Sequence, residues 1–140
     1  MKILVPVDGS AFSLKAVETA CDLAKSQPPS EVVLVAVSLS LYDLEDEGHY
    51  VADKLKRQAE AALAAAKMKA GEKGVTPKSL LASGVSAADE IVQVAKGEKA
   101  DLIVIGSRGL AGKTKSFLGG TASKVVTYSP CSVLVVKSED

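Results

Sequence analysis

Continuous apolar runs alternate with longer amphipathic segments along this chain. The runs are rich in β-branched and bulky residues and lack polar alternation, which is typical of strands buried on both faces. The longer segments repeat apolar residues at helical spacing, and alanine richness in the longest of them favours a helix. The pattern predicts strands at residues 2–7, 32–37, 78–82, 102–105 and 132–136, and helices near residues 12–26, 47–69, 87–96 and 121–128.

Strand–helix alternation predicts an α/β fold with an open, five-stranded parallel sheet and helices on both faces. The 140 residues fit one Rossmann-like domain, 1–140, without a linker or an internal repeat. In such sheets, ligands bind at the carboxyl ends of strands where the strand order reverses. The richest loops follow the first and fourth strands, so we expect these strands to be neighbours, in the order 3-2-1-4-5.

The amino-acid composition limits the classes of partner that this chain is expected to bind. Lys plus Arg and Asp plus Glu each number 17 and tryptophan is absent, so we expect no nucleic-acid partner. No apolar run is long enough to span a membrane, and the first strand begins at Lys2 without room for a signal peptide. We therefore expect a cytoplasmic protein without membrane contact. Cys21 and Cys131 show neither metal-site nor disulfide spacing, and we expect them to pack as small apolar groups.

Two turns carry the candidate chemistry. Asp8-Gly9-Ser10 follows the first strand, and the fourth strand runs into Gly106-Ser-Arg-Gly109, with Gly119-Gly120-Thr121 further along. Glycine turns let the backbone approach a ligand with its N–H groups directed inward. The start of the next helix adds unpaired N–H donors and the positive end of the helix dipole. Together they predict a phosphate-binding, and hence nucleotide-binding, site.

Other phosphate motifs fit less well. Gly112-Lys113-Thr114 has the tail of a P-loop, but five residues separate Gly106 from Gly112 where a P-loop has four. The N–H nest of a P-loop has fixed geometry, so the extra residue disfavours that interpretation. The dinucleotide fingerprint G-x-G-x-x-G is absent from the first turn.

The remaining spacing, Gly106-x2-Gly109-x9-Gly119, resembles the nucleotide-binding branch of the universal stress protein family. Three blocks in order carry the resemblance over essentially the whole chain: Ile3-Leu-Val-Pro-Val-Asp8-Gly-Ser10, Asp101-Leu-Ile-Val-Ile-Gly-Ser-Arg-Gly109 and Ser129-Pro-Cys-Ser-Val-Leu-Val-Val136. The resemblance implies a sheet like that of the adenine nucleotide alpha hydrolases, bound ATP (or AMP or ADP) and usually a homodimer.

Carried over by position, the family's site places Asp8 and Val37 at the adenine. Pro6 and Gly106 border the ribose, and the phosphates lie against the N–H groups of Gly109, Gly119 and Gly120. The family has Ser or Thr where this chain has Gly120, so one hydroxyl contact of about 1 kcal/mol is missing and weaker binding is expected. Thr121 either supplies a substitute hydroxyl or caps the helix. The predicted site comprises Pro6, Val7, Asp8, Val37, Ile105, Gly106, Arg108, Gly109, Gly119, Gly120 and Thr121.

Several of these residues have plainer explanations that stay open. Asp8 is also suited to a turn with its own backbone, and the glycines to tight turns alone. Arg108 is either a solvated loop charge or a phosphate contact. His49 is expected at a solvated helix start, and residues 38–48 form either a simple connection or a lid. Lys113 and Lys115 are expected to be surface charges.

Catalytic machinery is not evident, and we predict neither catalytic nor metal-ligating residues. Magnesium would be bound through phosphate oxygens and water. The expectation is an ATP-binding stress sensor or regulator with slow hydrolysis at most. A family member that acts through protein contacts without ATP, or a nucleotidyl or phosphoryl transferase, remains an alternative. The apolar strand from Val133 to Val136 is the expected homodimer interface, if it lies at the sheet edge.

Overall fold

The computed structural model describes residues 1–40, 45–109 and 118–137, with the backbone alone for residues 45–50. Strands and helices alternate through these residues, as the sequence predicts. They are β1 (Lys2–Pro6), α1 (Ala11–Ser26), β2 (Glu31–Leu39), α2 (Glu45–Glu72), β3 (Lys78–Gly84), α3 (Ala87–Glu98), β4 (Leu102–Gly106), α4 (Gly120–Tyr128) and β5 (Ser132–Val136).

The five strands form one parallel sheet in the order β3-β2-β1-β4-β5, which confirms the predicted topology. Successive residues of β1 face opposite layers of the core. Ile3 lies in the core layer that includes Val17 of α1, whereas Leu4 lies in the layer that includes Ile91 of α3. Both faces of the central strands are therefore buried, which explains their uninterrupted apolar sequence. No helix in the described part of the chain is long and apolar enough to span a bilayer.

The connection after β2 is shorter than the predicted loop of residues 38–48. β2 continues to Leu39 because β3 pairs with it as far as Gly84. At the other end, α2 begins at Glu45, two residues earlier than predicted. Residues 41–44 lie outside the described residues.

Both cysteines pack against the core, and the Cys131 Sγ also accepts a hydrogen bond from the Ser129 hydroxyl at 3.7 Å. Cys21 is fully buried in α1, and burial raises the pKa of its thiol. Cys131 is half-buried against the core on the α3 side of the sheet. Neither is in a disulfide.

A charged cluster joins the amino ends of β1 and β3 to the end of α3. The Lys78 ammonium donates to both carboxylate oxygens of Glu98 at 3.1 Å, and the Lys2 ammonium lies 3.6 Å from the same carboxylate. The hydrogen bond from Lys78 is the main cause that lowers the pKa of Glu98 from 4.5, and the charge of Lys2 adds to it.

The lowered pKa of Glu98 predicts how the stability of a Glu98→Gln variant, relative to the parent, changes as pH falls. A carboxyl with a lowered folded-state pKa stabilises the fold above its ordinary pKa, and this contribution is lost as pH falls through the lowered value. Glu98→Gln should therefore unfold at lower urea concentration than the parent near pH 7, and the gap should narrow toward pH 3. A gap that stays constant across this range would show that the Glu98 charge does not contribute.

Candidate functional site

A cleft of about 620 Å³ opens at the carboxyl edge of the sheet, between the ends of β1, β2 and β4. This carboxyl-edge cleft lies where the strand order reverses, the usual ligand position in such sheets. It brings together all of the predicted site residues: Pro6, Val7, Asp8, Val37, Ile105, Gly106, Arg108, Gly109, Gly119, Gly120 and Thr121.

The turn after β1 is held by hydrogen bonds of its own. Ser10 N–H donates to Asp8 Oδ1 at 2.9 Å, and Asp8 N–H donates to Ser13 Oγ at 3.3 Å. The Ser10 hydroxyl caps α1 by accepting from Ser13 N–H at 3.1 Å. Gly9 adopts φ +89° within this turn, a conformation that suits glycine. Asp8 therefore does form the turn that its sequence context allows.

Asp8 also reaches the second glycine turn. A Cβ at Gly109 would lie 2.6 Å from Asp8 Oδ2, so this oxygen occupies the space that a side chain at position 109 would need. The β1 and β4 turns thus meet through one carboxylate and one glycine. A single Asp8 side chain orders its own turn with one oxygen and leaves the other at the cleft wall.

Gly106 is required for the packing of α1 against β4. A Cβ there would lie 2.8 Å from the backbone carbonyl carbon and oxygen of Phe12, so α1 approaches β4 only because residue 106 has no side chain. The Arg108 guanidinium lies 5.8 Å from the centroid of the Phe12 ring, a cation–π contact. This contact places the half-buried Arg108 along the cleft rather than in open solvent.

One predicted contact is wrong in its detail. Gly119 N–H was expected to face phosphate, but it donates to the Ser107 carbonyl at 2.7 Å. That bond ties the end of β4 to the start of α4 and takes up the donor. A Cβ at Gly119 would lie 3.2 Å from the same carbonyl oxygen, so glycine serves close approach here. The ligand-facing donors must come from the next residues.

The first turn of α4 supplies such donors. Gly119 is the N-cap and makes no side-chain cap bond. The first helical hydrogen bond is donated by Ser123 N–H to the Gly119 carbonyl. Gly120, Thr121 and Ala122 thus have no helical acceptor for their N–H groups, and all three line the cleft. Thr121 lies at the second helical position, so the suggested role as helix cap is wrong.

The end of β2 offers a polar backbone edge to the same cleft. The Val35 carbonyl of β2 accepts from Val7 N–H at 2.8 Å, which is the last hydrogen bond between β1 and β2. After Val7, the segment that follows β1 leaves the sheet at Asp8. Val37 points its N–H and C=O to the side that β1 has left, because alternate strand residues face the same neighbour. Val37 therefore presents one donor and one acceptor beside apolar side chains.

Sequence reasoning missed the contributions of α2 and α3. These helices reach the cleft only after packing over the sheet, and no local motif marks them. The Ser10 cap was readable from sequence as a Ser before a helical pattern, with Ser13 at the position that a cap bonds. The additional lining residues are Ser13, Val35, Ala36, Leu39, Leu55, Gln58, Ala59, Ala87, Ile91, Leu118 and Ala122.

Some expectations lie beyond what the structure describes. Lys113 and Lys115 fall outside the described residues, and His49 is described by its backbone alone, in the first turns of α2. Among the described residues, no three His, Cys, Asp or Glu side chains lie close enough together to bind a metal ion.

Comparison with known proteins identifies the family. Residues 1–137 match the model of the universal stress protein family. The chain belongs to this family. A universal stress protein from Bacillus subtilis is 37% identical over 146 residues, which covers 97% of this chain and 98% of the relative.

Solved universal stress proteins share the architecture. The UspA structure from Lactobacillus plantarum superposes with a TM-score of 0.84 at 25% identity, over 97% of both chains. Another universal stress protein, solved in complex with cAMP, superposes with a TM-score of 0.73 at 28% identity, over 97% of this chain and 96% of the other. The comparison thus includes a family member that binds an adenine nucleotide.

Proposed function

We propose that this universal stress protein binds an adenine nucleotide, ATP in particular, in the carboxyl-edge cleft. The observation that carries the proposal is the convergence of the first-turn backbone N–H groups of α4, which have no partner within that helix, with the glycine turn after β4. Such donors suit phosphate oxygens, and the dipole of α4 favours negative charge at the same place. The cAMP complex of a relative supports the same ligand class.

The phosphates would bind to the N–H groups of Gly109, Gly120 and Thr121, and Arg108 would add a positive charge. The adenine would lie at the end of β2 with Asp8 beside it, where the Val37 N–H and C=O match the acceptor and donor on the edge of the base. Pro6 and Gly106 would border the ribose, with Val7 and Ile105 completing the wall. Gly119 contributes by letting the glycine turn close onto α4.

The role proposed for the bound nucleotide is regulatory. Fast phosphoryl transfer needs a positioned nucleophile and a well-held metal. The donors of this cleft are mainly backbone amides, which fit binding more than turnover. Magnesium would be coordinated by phosphate oxygens and water. The protein would act as a stress-response sensor whose contacts change with the nucleotide it holds, with slow hydrolysis at most.

Direct binding tests this proposal. Mass spectrometry of small molecules released from freshly purified, denatured protein should detect ATP, ADP or AMP. Equilibrium dialysis with labelled ATP should give saturable binding of one nucleotide per chain. Absence of nucleotide in both experiments would leave the alternative of a family member that acts through protein contacts alone.

Homodimer formation through β5 is proposed as well. β5 lies at the sheet edge, as expected, and Leu134 is 39% exposed. Val133 and Val135 instead pack against the core on the α3 side. An exposed apolar edge strand favours pairing with its copy across a two-fold axis.

Leu134→Lys therefore tests the interface with little effect on the core. We expect the parent to scatter light as a dimer and Leu134→Lys as a monomer, because two buried ammonium groups would face each other across the axis. Met68→Lys, at an exposed position of α2, is the matched control and should remain dimeric. A dimeric Leu134→Lys would place the interface elsewhere.

A further inference from the structure

α2 forms one wall of the cleft beside the end of β2. Leu55, Gln58 and Ala59 line it from this helix, at the spacing of a single helical face. One turn later, Ala62 Cβ lies 3.8 Å from where a Cβ on Gly9 would be, so α2 also contacts the turn after β1. α2 therefore lines the same cleft as Val37 and also packs on the turn that follows β1.

Gln58 differs from the other residues of this wall. In the described part of the chain, β2, α2 and α3 line the cleft with apolar side chains, and Gln58 is the single polar exception. Ala59 is buried and Leu55 is half-buried, whereas Gln58 is exposed. Its amide is thus solvated beside an apolar wall, free of the packing that fixes its neighbours.

A flat heterocycle suits this wall. Its faces can pack on Leu55 and Ala59 of α2 and on Ile91 of α3, which lines the cleft from the other side of the sheet. The polar edge atoms of the heterocycle need hydrogen-bond partners once they leave water. The Val37 N–H and C=O supply one donor and one acceptor. Among the described residues that line the cleft, Gln58 supplies the one side-chain amide.

We propose that Gln58 determines base specificity by reading the N6/N7 edge of adenine. This inference rests on the proposed function. The carboxamide oxygen accepts from the 6-amino group, and the carboxamide NH2 donates to N7, the pairing that glutamine makes with adenine in nucleic-acid recognition. Val37 engages the adjacent N1/N6 edge. A 6-oxo purine offers acceptors at both O6 and N7, so only one of the two bonds to Gln58 can form.

The substitution Gln58→Leu removes both bonds at nearly constant volume. Binding of ATP, ITP and 7-deaza-ATP to the full chain is measured by equilibrium dialysis. 7-Deaza-ATP lacks only the N7 acceptor, which Val37 does not contact, and so isolates Gln58. The parent should bind 7-deaza-ATP about fivefold or more weakly than ATP. Gln58→Leu should bind the two equally, and its preference for ATP over ITP should fall by a similar factor.

Gln93→Leu is the matched control, because Gln93 is exposed on α3 and does not line the cleft. It should keep the selectivity of the parent. If the parent binds ATP but Gln58→Leu keeps both the 7-deaza penalty and the ATP preference, the role of Gln58 is overturned while nucleotide binding stands. If the parent binds none of the three nucleotides, the proposed function itself fails and the role of Gln58 fails with it.

Discussion

Gly119→Asp is expected to abolish ATP binding, weakening it by about 100-fold or more. Position 119 is the N-cap of α4, beside the proposed phosphate donors, so an Asp carboxylate there would oppose the phosphate charge and offset the helix dipole. The new side chain would also press on the Ser107 carbonyl, which lies 3.2 Å from the position of its Cβ. Equilibrium dialysis with labelled ATP measures the loss directly.

Two neutral variants separate charge from crowding. Gly119→Asn has the same size as Gly119→Asp without the charge, and should lose only part of the affinity. Gly120→Ser should bind ATP more tightly, by a factor consistent with about 1 kcal/mol, since it restores a hydroxyl near the phosphates. A Cβ at Gly120 meets no atom within 4 Å, so there is room for it. Equal affinities for Gly119→Asp and the parent would contradict the phosphate position.

Gly106→Ala is expected to destabilise the whole domain by about 1–3 kcal/mol, the usual range for overpacking a tight contact. The methyl group would lie 2.8 Å from the backbone carbonyl carbon and oxygen of Phe12. Backbone atoms cannot be moved by changing a rotamer, so α1 would have to shift away from β4. Urea unfolding measures the change in the free energy of unfolding.

Gly71→Ala is the control for Gly106→Ala, because it should raise the free energy of unfolding instead of lowering it. Gly71 lies in α2, and a Cβ there meets nothing within 4 Å. Alanine should stabilise that helix by up to about 1 kcal/mol, because glycine is the poorer helix former. If Gly106→Ala were as stable as Gly71→Ala, the close approach of α1 to β4 would not be required for folding.

The sequence predicted most of the fold because buried parallel strands have no polar alternation. The apolar runs around Ile3, Val33 and Ile103 marked β1, β2 and β4, and strand–helix alternation then left few possible strand orders. Boundaries were less accurate where a neighbouring strand decides them. β2 extends to Leu39 because β3 pairs there, and no residue near Leu39 signals that pairing.

The site was predictable only where its residues form local motifs. The turns at Asp8 and Gly109 are contiguous in sequence and were found, and the structure brings both to one cleft. The side chains of α2 and α3, Gln58 included, reach the cleft through packing over the sheet, which no spacing rule reveals. The hydrogen bond from Gly119 to Ser107 also depends on how two loop ends meet, so it could not be read from a glycine motif.

The central claim is that backbone amides at the end of β4 and the start of α4 bind the phosphates of an adenine nucleotide. A crystal structure of the protein grown with excess ATP and magnesium tests it most directly. The account predicts phosphate oxygens within hydrogen-bond distance of the Gly109, Gly120 and Thr121 N–H groups, with the base beside Val37. A cleft without nucleotide at saturating ATP, or a nucleotide bound elsewhere on the chain, would contradict it.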